Sequence, residues 1–205
     1  MRPCLKETGS ADERYLTTYS YDGAGRLTRS EERNADGTLG IATTCEYDPA
    51  GRPRACPTNS FRRAYEFAKG QLVRVTVTST ERKSVEVETF EYDDRGRLTV
   101  ATIREADQPA QKERYHYDAA GRLTWIESAD RPQEFSYDSS GRLIKVSGVM
   151  AKDIAYDATE RVREILDFLT VEPGRWVFEY DASGRLVNER RENDGWLVHY
   201  RYVCD

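Results

Sequence analysis

A seven-residue frame, Tyr-Asp, two variable residues and Gly-Arg-Leu, returns five times along the chain: 21–27, 92–98, 117–123, 137–143 and 180–186. A repeat constrains a fold more than local propensity does, because every copy must be the same supersecondary unit and must bury its apolar side against its neighbours. Weaker copies read YDPAGRP from Tyr47 and YDATERV from Tyr156, with a shortened FAKGQL from Phe67 and a truncated YVCD from Tyr202. The leading aromatics of these nine units fall at 21, 47, 67, 92, 117, 137, 156, 180 and 202, so the spacing wanders between 19 and 26 residues. Hairpins whose far loops differ in length tolerate that variation, whereas the rigid coil of a solenoid does not.

The frame itself reads as a turn. In a three-residue hairpin loop a type I turn is followed by one left-handed residue, with Asp favoured at the first position and Gly at the fourth. The predicted turn residues are Asp22, Gly25 and Arg26, and their counterparts Asp93, Gly96, Arg97, Asp118, Gly121, Arg122, Asp138, Gly141, Arg142, Asp181, Gly184 and Arg185. The carboxylate also reaches the amide two residues on. In this register Asp22 faces Arg26 on one side of the ribbon, and Tyr21 faces Leu27 on the other. An exposed ion pair contributes about 0.2–1 kcal/mol, while burying Tyr and Leu contributes roughly 1.5–3 kcal/mol per side chain. The tyrosine face is therefore the expected core face.

The position two before each leading aromatic reads Tyr19, Cys45, Tyr65, Phe90, Tyr115, Phe135, Ile154, Phe178 and Tyr200, apolar or aromatic throughout, while residues between such as Glu46, Glu91, His116 and Glu179 are polar. Alternation of period two marks strands with one solvated face. The same parity carries Trp125, Trp176 and Trp196 to the core face, as packing rather than a ligand platform. Pro49, Pro53 and Pro57 predict an edge, bend or crossover over 49–58, where a full ladder cannot be sustained. Glu160 in the glycine position costs about 1–2 kcal/mol if left-handed, which predicts a change of turn type. Val162, Ile165, Leu166 and Leu169 match helical spacing over 159–169, whereas the repeat register makes the same residues a strand.

The chain is thus expected to be all-β, a series of antiparallel β-hairpin repeats forming a long curved or rolled sheet. An N-terminal segment, 1–18, carries the first strand, and 19–205 form a single repeat domain of about nine hairpins and roughly seventeen strands. Charged residues make up 33% of the chain, but thirteen tyrosines and 11% aromatics argue for folding with a thin core. A net charge of −5 favours neither nucleic acid nor an anionic membrane as partner. The N-terminus lacks a stretch of signal-peptide length, which points to a cytoplasmic protein. Cys4, Cys45, Cys56 and Cys204 lack metal-ligand spacing and are expected as reduced thiols, since a disulfide requires an oxidising compartment.

With Y-D-x-x-G-R-L recurring over 19–205, the chain resembles the Rhs, or YD-repeat, family. The resemblance implies a strip of hairpins like the one that spirals into a hollow shell around a C-terminal bacterial toxin; similar repeats in teneurins carry adhesion functions. Asp48-Pro49-Ala50-Gly51 shares the letters of that family's Asp-Pro-x-Gly cleavage segment but stands near the N-terminus, and reads as an ordinary repeat turn.

Nothing in the pattern points to catalysis. His116 and His199 stand on the polar face without a nucleophile or carboxylate at recognisable spacing, and each glycine sits in a hairpin rather than before a helix. No catalytic residue, cofactor or metal ligand is assigned. The expected function is a protein-binding module: a cytoplasmic immunity protein that binds and occludes a cognate toxin domain. The alternatives are a shell fragment or chaperone of an Rhs cocoon, binding through strand edges, and a glycan-binding adhesion module. Specificity is expected in the variable loops 31–40, 78–84, 104–112, 127–133 and 189–195.

Overall fold

The frame closes as a three-residue hairpin loop. In a computed structural model describing residues 2–10, 13–79, 81, 84–106, 108–168 and 174–202, the Asp22 amide donates to the Arg26 carbonyl (2.9 Å) and the Gly25 amide to the Asp22 carbonyl (2.8 Å). The same two bonds close the turns starting at Asp48, Asp93, Asp118, Asp138, Asp157 and Asp181. The fourth position is left-handed, with φ of 74° at Gly25 and 83° at Gly121, a region that glycine enters without a Cβ penalty.

Glu160 departs from expectation. The turn keeps its type, and Glu160 itself adopts φ 64°, because the Asp157 amide still donates to Arg161 (2.8 Å) and the Glu160 amide to Asp157 (3.1 Å). Glu160→Gly should therefore raise stability by roughly 0.5–1 kcal/mol, the relieved left-handed cost less the added freedom of the unfolded chain. A urea melt with an unchanged or lower midpoint would contradict this. The shortened unit uses another loop: Lys69 (φ 50°) and Gly70 (φ 83°) form a two-residue turn between paired Ala68 and Gln71, the left-handed pair of a type I′ hairpin.

Nineteen strands run through the described residues, more than the seventeen expected. The first six are β1 (Leu5–Gly9), β2 (Arg14–Tyr21), β3 (Leu27–Asn34), β4 (Leu39–Thr44), β5 (Glu46–Tyr47) and β6 (Pro53–Pro57). Then come β7 (Phe61–Ala68), β8 (Gln71–Ser79), β9 (Val85–Tyr92), β10 (Leu98–Glu105), β11 (Gln111–Tyr117) and β12 (Leu123–Ser128). The last seven are β13 (Gln133–Tyr137), β14 (Leu143–Gly148), β15 (Lys152–Tyr156), β16 (Val162–Asp167), β17 (Gly174–Tyr180), β18 (Leu186–Arg191) and β19 (Leu197–Arg201). The protein is all-β, and in the segment 159–169 residues 159–161 complete the turn while Val162–Asp167 form strand β16; Leu169 lies outside the described residues.

The chain divides into two compact units, 1–41 with 133–205, and 42–132. In the first, antiparallel ladders run without a break from β13 through β19 to β1, β2 and β3. The second is an antiparallel sheet from β5 to β12.

A bulge in the hairpins resets the faces. Tyr21 pairs with Leu27, but Ser20 pairs with Arg29, so Thr28 is squeezed out as the extra residue. The same shift recurs in the hairpins that begin with β9, β11, β13, β15 and β17. Beyond the bulge, parity reverses on the second strand, and in three units the aromatic two before the leading aromatic meets a small apolar residue: Tyr65 with Val75, Phe90 with Ala101, Phe135 with Val146. Those three partners are buried. The reversal also corrects the placing of Trp125, which lies opposite His116 on the face away from the tyrosines and is 41% exposed. Trp176 keeps the tyrosine face, opposite Arg191.

The proline-rich unit is shortened rather than lost. Its first strand, β5, has two residues, and Pro53 takes the place of leucine opposite Tyr47. A disulfide between Cys45 and Cys56 extends the hairpin past this pairing. The reduced thiols expected from sequence are thus corrected: with Glu46 opposite Ala55, the next residues outward are the two cysteines, at a Cα separation of 4.2 Å. Cys4 is also disulfide-bonded, and Cys204 lies outside the described residues.

Candidate functional site

The repeated polar residues form a lattice that joins hairpin to hairpin. Within a turn, Asp93 Oδ1 accepts from the amides of Arg95 and Arg97 (both 2.9 Å), and Oδ2 accepts from Arg97 Nε at 2.7 Å. Asp22, Asp118, Asp138, Asp157 and Asp181 hold Arg26, Arg122, Arg142, Arg161 and Arg185 in the same way. The arginine then reaches forward. The Arg97 guanidinium carbon stands 4.8 Å over the ring of Tyr117, Arg142 over Tyr156 at 4.9 Å, Arg161 over Tyr180 at 4.7 Å and Arg185 over Tyr202 at 5.0 Å, within cation–π range.

The tyrosine hydroxyl completes the link. Tyr92 donates to the Leu72 carbonyl (2.7 Å), Tyr117 to Leu98 (2.8 Å), Tyr156 to Leu143 (2.8 Å), Tyr180 to Val162 (2.8 Å) and Tyr202 to Leu186 (2.7 Å). In each case the acceptor belongs to the leucine position of the preceding unit. The tyrosine thus packs inside its own hairpin and fastens it to the one before, a role that the period-two pattern does not reveal.

The aspartates titrate accordingly. The arginine amide is the largest cause holding Asp22, Asp48, Asp93, Asp118, Asp138, Asp157 and Asp181 below the usual carboxylate range. A depressed folded pKa stabilises above the unfolded value of about 3.9 and is lost as pH falls through the folded value. Glu88 runs the other way: burial, then the nearby Glu86, raises its pKa, so its neutral form favours folding as the pH drops from neutral. An acid titration followed by circular dichroism should show no loss of structure down to about pH 4 and loss only below it. Unfolding that begins near pH 5 would be the contrary result.

Two clefts open where the variable loops meet. In the first unit, a cleft of about 590 Å³ lies between Arg33 and Asn34 at the end of β3 and the loop residue Gly195, and is walled by Leu16, Leu197 and His199. Asn188 Nδ2 donates to Glu179 Oε2 (2.7 Å), and Asn188 Oδ1 lies 2.8 Å from His199 Nδ1. Because a carboxylate only accepts, Asn188 turns its amide oxygen to the imidazole, and Nδ1 supplies the proton of that bond. In the second unit a cleft of about 650 Å³ joins Gln108, Lys112 and Arg114 to Glu127 and Asp130. Beside it His116 stacks on Trp125 at 4.8 Å and lies 3.4 Å from Glu127. Both histidines therefore have carboxylate-linked partners that came from neighbouring strands, beyond the reach of linear spacing. Among the described residues, no group of three or more His, Cys, Asp or Glu is placed to hold a metal ion.

An in-register series of hairpins fastened by Asp, Arg and Tyr defines a YD-repeat sheet. The Teneurin YD-shell family model matches residues 59–202, and the chain belongs to that family. Mouse Teneurin-4 is 31% identical over 128 residues, 56% of this chain and 5% of that protein. The Double-stranded DNA deaminase toxin A of Burkholderia cenocepacia is 36% identical over 93 residues, 44% of this chain and 6% of the toxin. The Probable deoxyribonuclease RhsB of Dickeya dadantii is 27% identical over 217 residues, 88% of this chain and 14% of that protein. The chain thus spans only a small part of the curated relatives it matches. A porin-like protein from Bacteroides uniformis shares the fold, with a TM-score of 0.54 at 14% identity, over 96% of this chain and 94% of that one.

Proposed function

We propose that this chain is a non-catalytic wall segment of a YD-repeat shell, a structural module that lies against a toxin-type passenger domain. The observation that carries this reading is the unit-to-unit clamp, in which the Asp, Arg and Tyr of the repeat are consumed in joining hairpins and none is left for chemistry. The surface supports it. Among the described residues Leu39, Ile41, Trp125, Val149, Phe168 and Leu197 leave apolar area exposed. None of its large side chains is fully buried among the described residues. Such area suits a partner-covered sheet. The two bacterial relatives bear the names of a DNA deaminase toxin and a deoxyribonuclease, which fits a wall shared by differing passengers.

The immunity reading makes the opposite prediction for one experiment. The immobilised chain is presented with the matched YD-repeat segment of the Dickeya relative, and in parallel is co-expressed in cells that produce that relative in full. Retention of the repeat segment without protection of the cells is expected of a wall segment. Protection, with no retention, would make the chain an immunity protein instead.

A further inference from the structure

Strands β19 and β1, far apart in sequence, pair as the two halves of one YD hairpin. In an intact unit the residue before the tyrosine lies opposite the residue two beyond the leucine, as Glu179 does opposite Asn188. Arg201, just before Tyr202, lies opposite Leu5, two beyond Pro3. Pro3 therefore holds the leucine position, Arg2 the arginine position and Cys4 the bulge position. Four contacts agree with this assignment.

Thr28, Thr99 and Thr124 at the bulge donate their hydroxyls to the carbonyls of Ser20, Glu91 and His116, each the residue before a repeat tyrosine; Cys4 Sγ lies 3.4 Å from the carbonyl of Arg201. Tyr21 donates to the Pro3 carbonyl at 2.8 Å, as the other repeat tyrosines do to the preceding leucine. The Arg2 guanidinium carbon stands 5.6 Å over the Tyr21 ring, as Arg185 does over Tyr202. Arg2 also flanks Gly25, as Arg161 flanks Gly184.

As the second half of a repeat, β1 is an imperfect occupant. Proline replaces leucine in the repeat frame, and Val203 follows Tyr202 in sequence where intact units have aspartate. We propose that the slot between β19 and β2 is a docking site for the second strand of a YD repeat from another chain, an extended Gly-Arg-Leu-Thr segment, and that β1 is the strand it displaces. The partner supplies main-chain bonds to both flanking strands, a leucine for Tyr202, a threonine for the Arg201 carbonyl, and an arginine and a carbonyl for Tyr21. This names how one shell segment joins the next, and to that extent rests on the wall reading.

The probe is a labelled synthetic peptide with the sequence of residues 25–33, GRLTRSEER, offered to the full chain carrying Cys4→Ser, which frees β1 from its disulfide. Saturable binding is expected, with amide exchange at Leu5–Gly9 accelerated roughly tenfold or more and β17–β18 exchange unchanged. The same peptide with alanine at its arginine and leucine should bind roughly tenfold more weakly or worse. Should Cys4→Ser fail to fold, the native chain under mild reductant gives the same readout. Absence of binding, or binding that leaves Leu5–Gly9 exchange unaltered, overturns the proposal. If the peptide displaces β1 while the Dickeya repeat segment is not retained, the slot stands and the wall reading falls.

Discussion

Tyr180→Ala is expected to destabilise the protein by about 3 kcal/mol, with Tyr180→Phe costing about 1 kcal/mol. The tyrosine is half-buried, packs opposite Leu186 and carries the Arg161 guanidinium 4.7 Å over its ring. Its hydroxyl donates to the Val162 carbonyl of the preceding hairpin at 2.8 Å. Burial, the first cause, raises the phenol's pKa, so it remains a neutral donor across the ordinary pH range. Alanine removes ring, cation–π contact and hydrogen bond together, while phenylalanine removes the bond alone and strands a carbonyl that has lost its donor. Urea melts of both variants read the two components. A phenylalanine variant as stable as the native chain would show that the inter-hairpin clamp contributes nothing and that ring packing holds the units. Phenylalanine at Tyr92, whose donor bond to Leu72 has the same geometry, should repeat the smaller cost.

That clamp was legible in the sequence, though only in hindsight. Eight of the nine leading aromatics are tyrosine, Phe67 being the exception, whereas the position two before mixes Tyr, Phe, Ile and Cys. Packing alone would accept that mixture at both places; a constant hydroxyl signals a hydrogen bond. The turn was legible because Asp and Gly act within five residues, where local geometry decides the outcome. The bulge was not deduced, yet its mark is present: Thr28, Thr99 and Thr124 come directly after the repeat leucine and donate to the carbonyl across the strand pair.

Positions beyond the bulge could not be reached by parity counted along one strand. Trp125 shows the cost, since a single unpaired residue moved it to the opposite face. The partners of His116 and His199 were hidden for a related reason: Glu127, Asn188 and Glu179 become neighbours only through ladder register. The clefts were foreshadowed better. Loops 31–40 and 189–195 contribute to one, and 104–112 and 127–133 to the other, because alternate loops of a hairpin series all emerge at the ends away from the repeat turns.

Removing the Cys45–Cys56 bond is expected to cost about 2–3 kcal/mol, the loop-closure entropy of a crosslink spanning about a dozen residues. The sequence separation is 11, and the hairpin it encloses has little else to hold it. Strand β5 contributes two residues to its ladder, Pro53 replaces the leucine, and Pro57 ends β6. Asp48 still holds Arg52 through its amide at 2.9 Å and Nε at 2.8 Å, so the turn itself should survive while its flanks fray. The double variant Cys45→Ser/Cys56→Ser should therefore show a lower urea midpoint, and faster amide exchange concentrated in β5 and β6, with the β7–β8 hairpin largely spared. Because such bonds persist where the environment is oxidising, thiol alkylation before and after reduction shows which form an isolated sample holds. A midpoint unchanged by reduction, in a sample whose thiols alkylate only afterwards, would mean that the ladder alone sustains this hairpin.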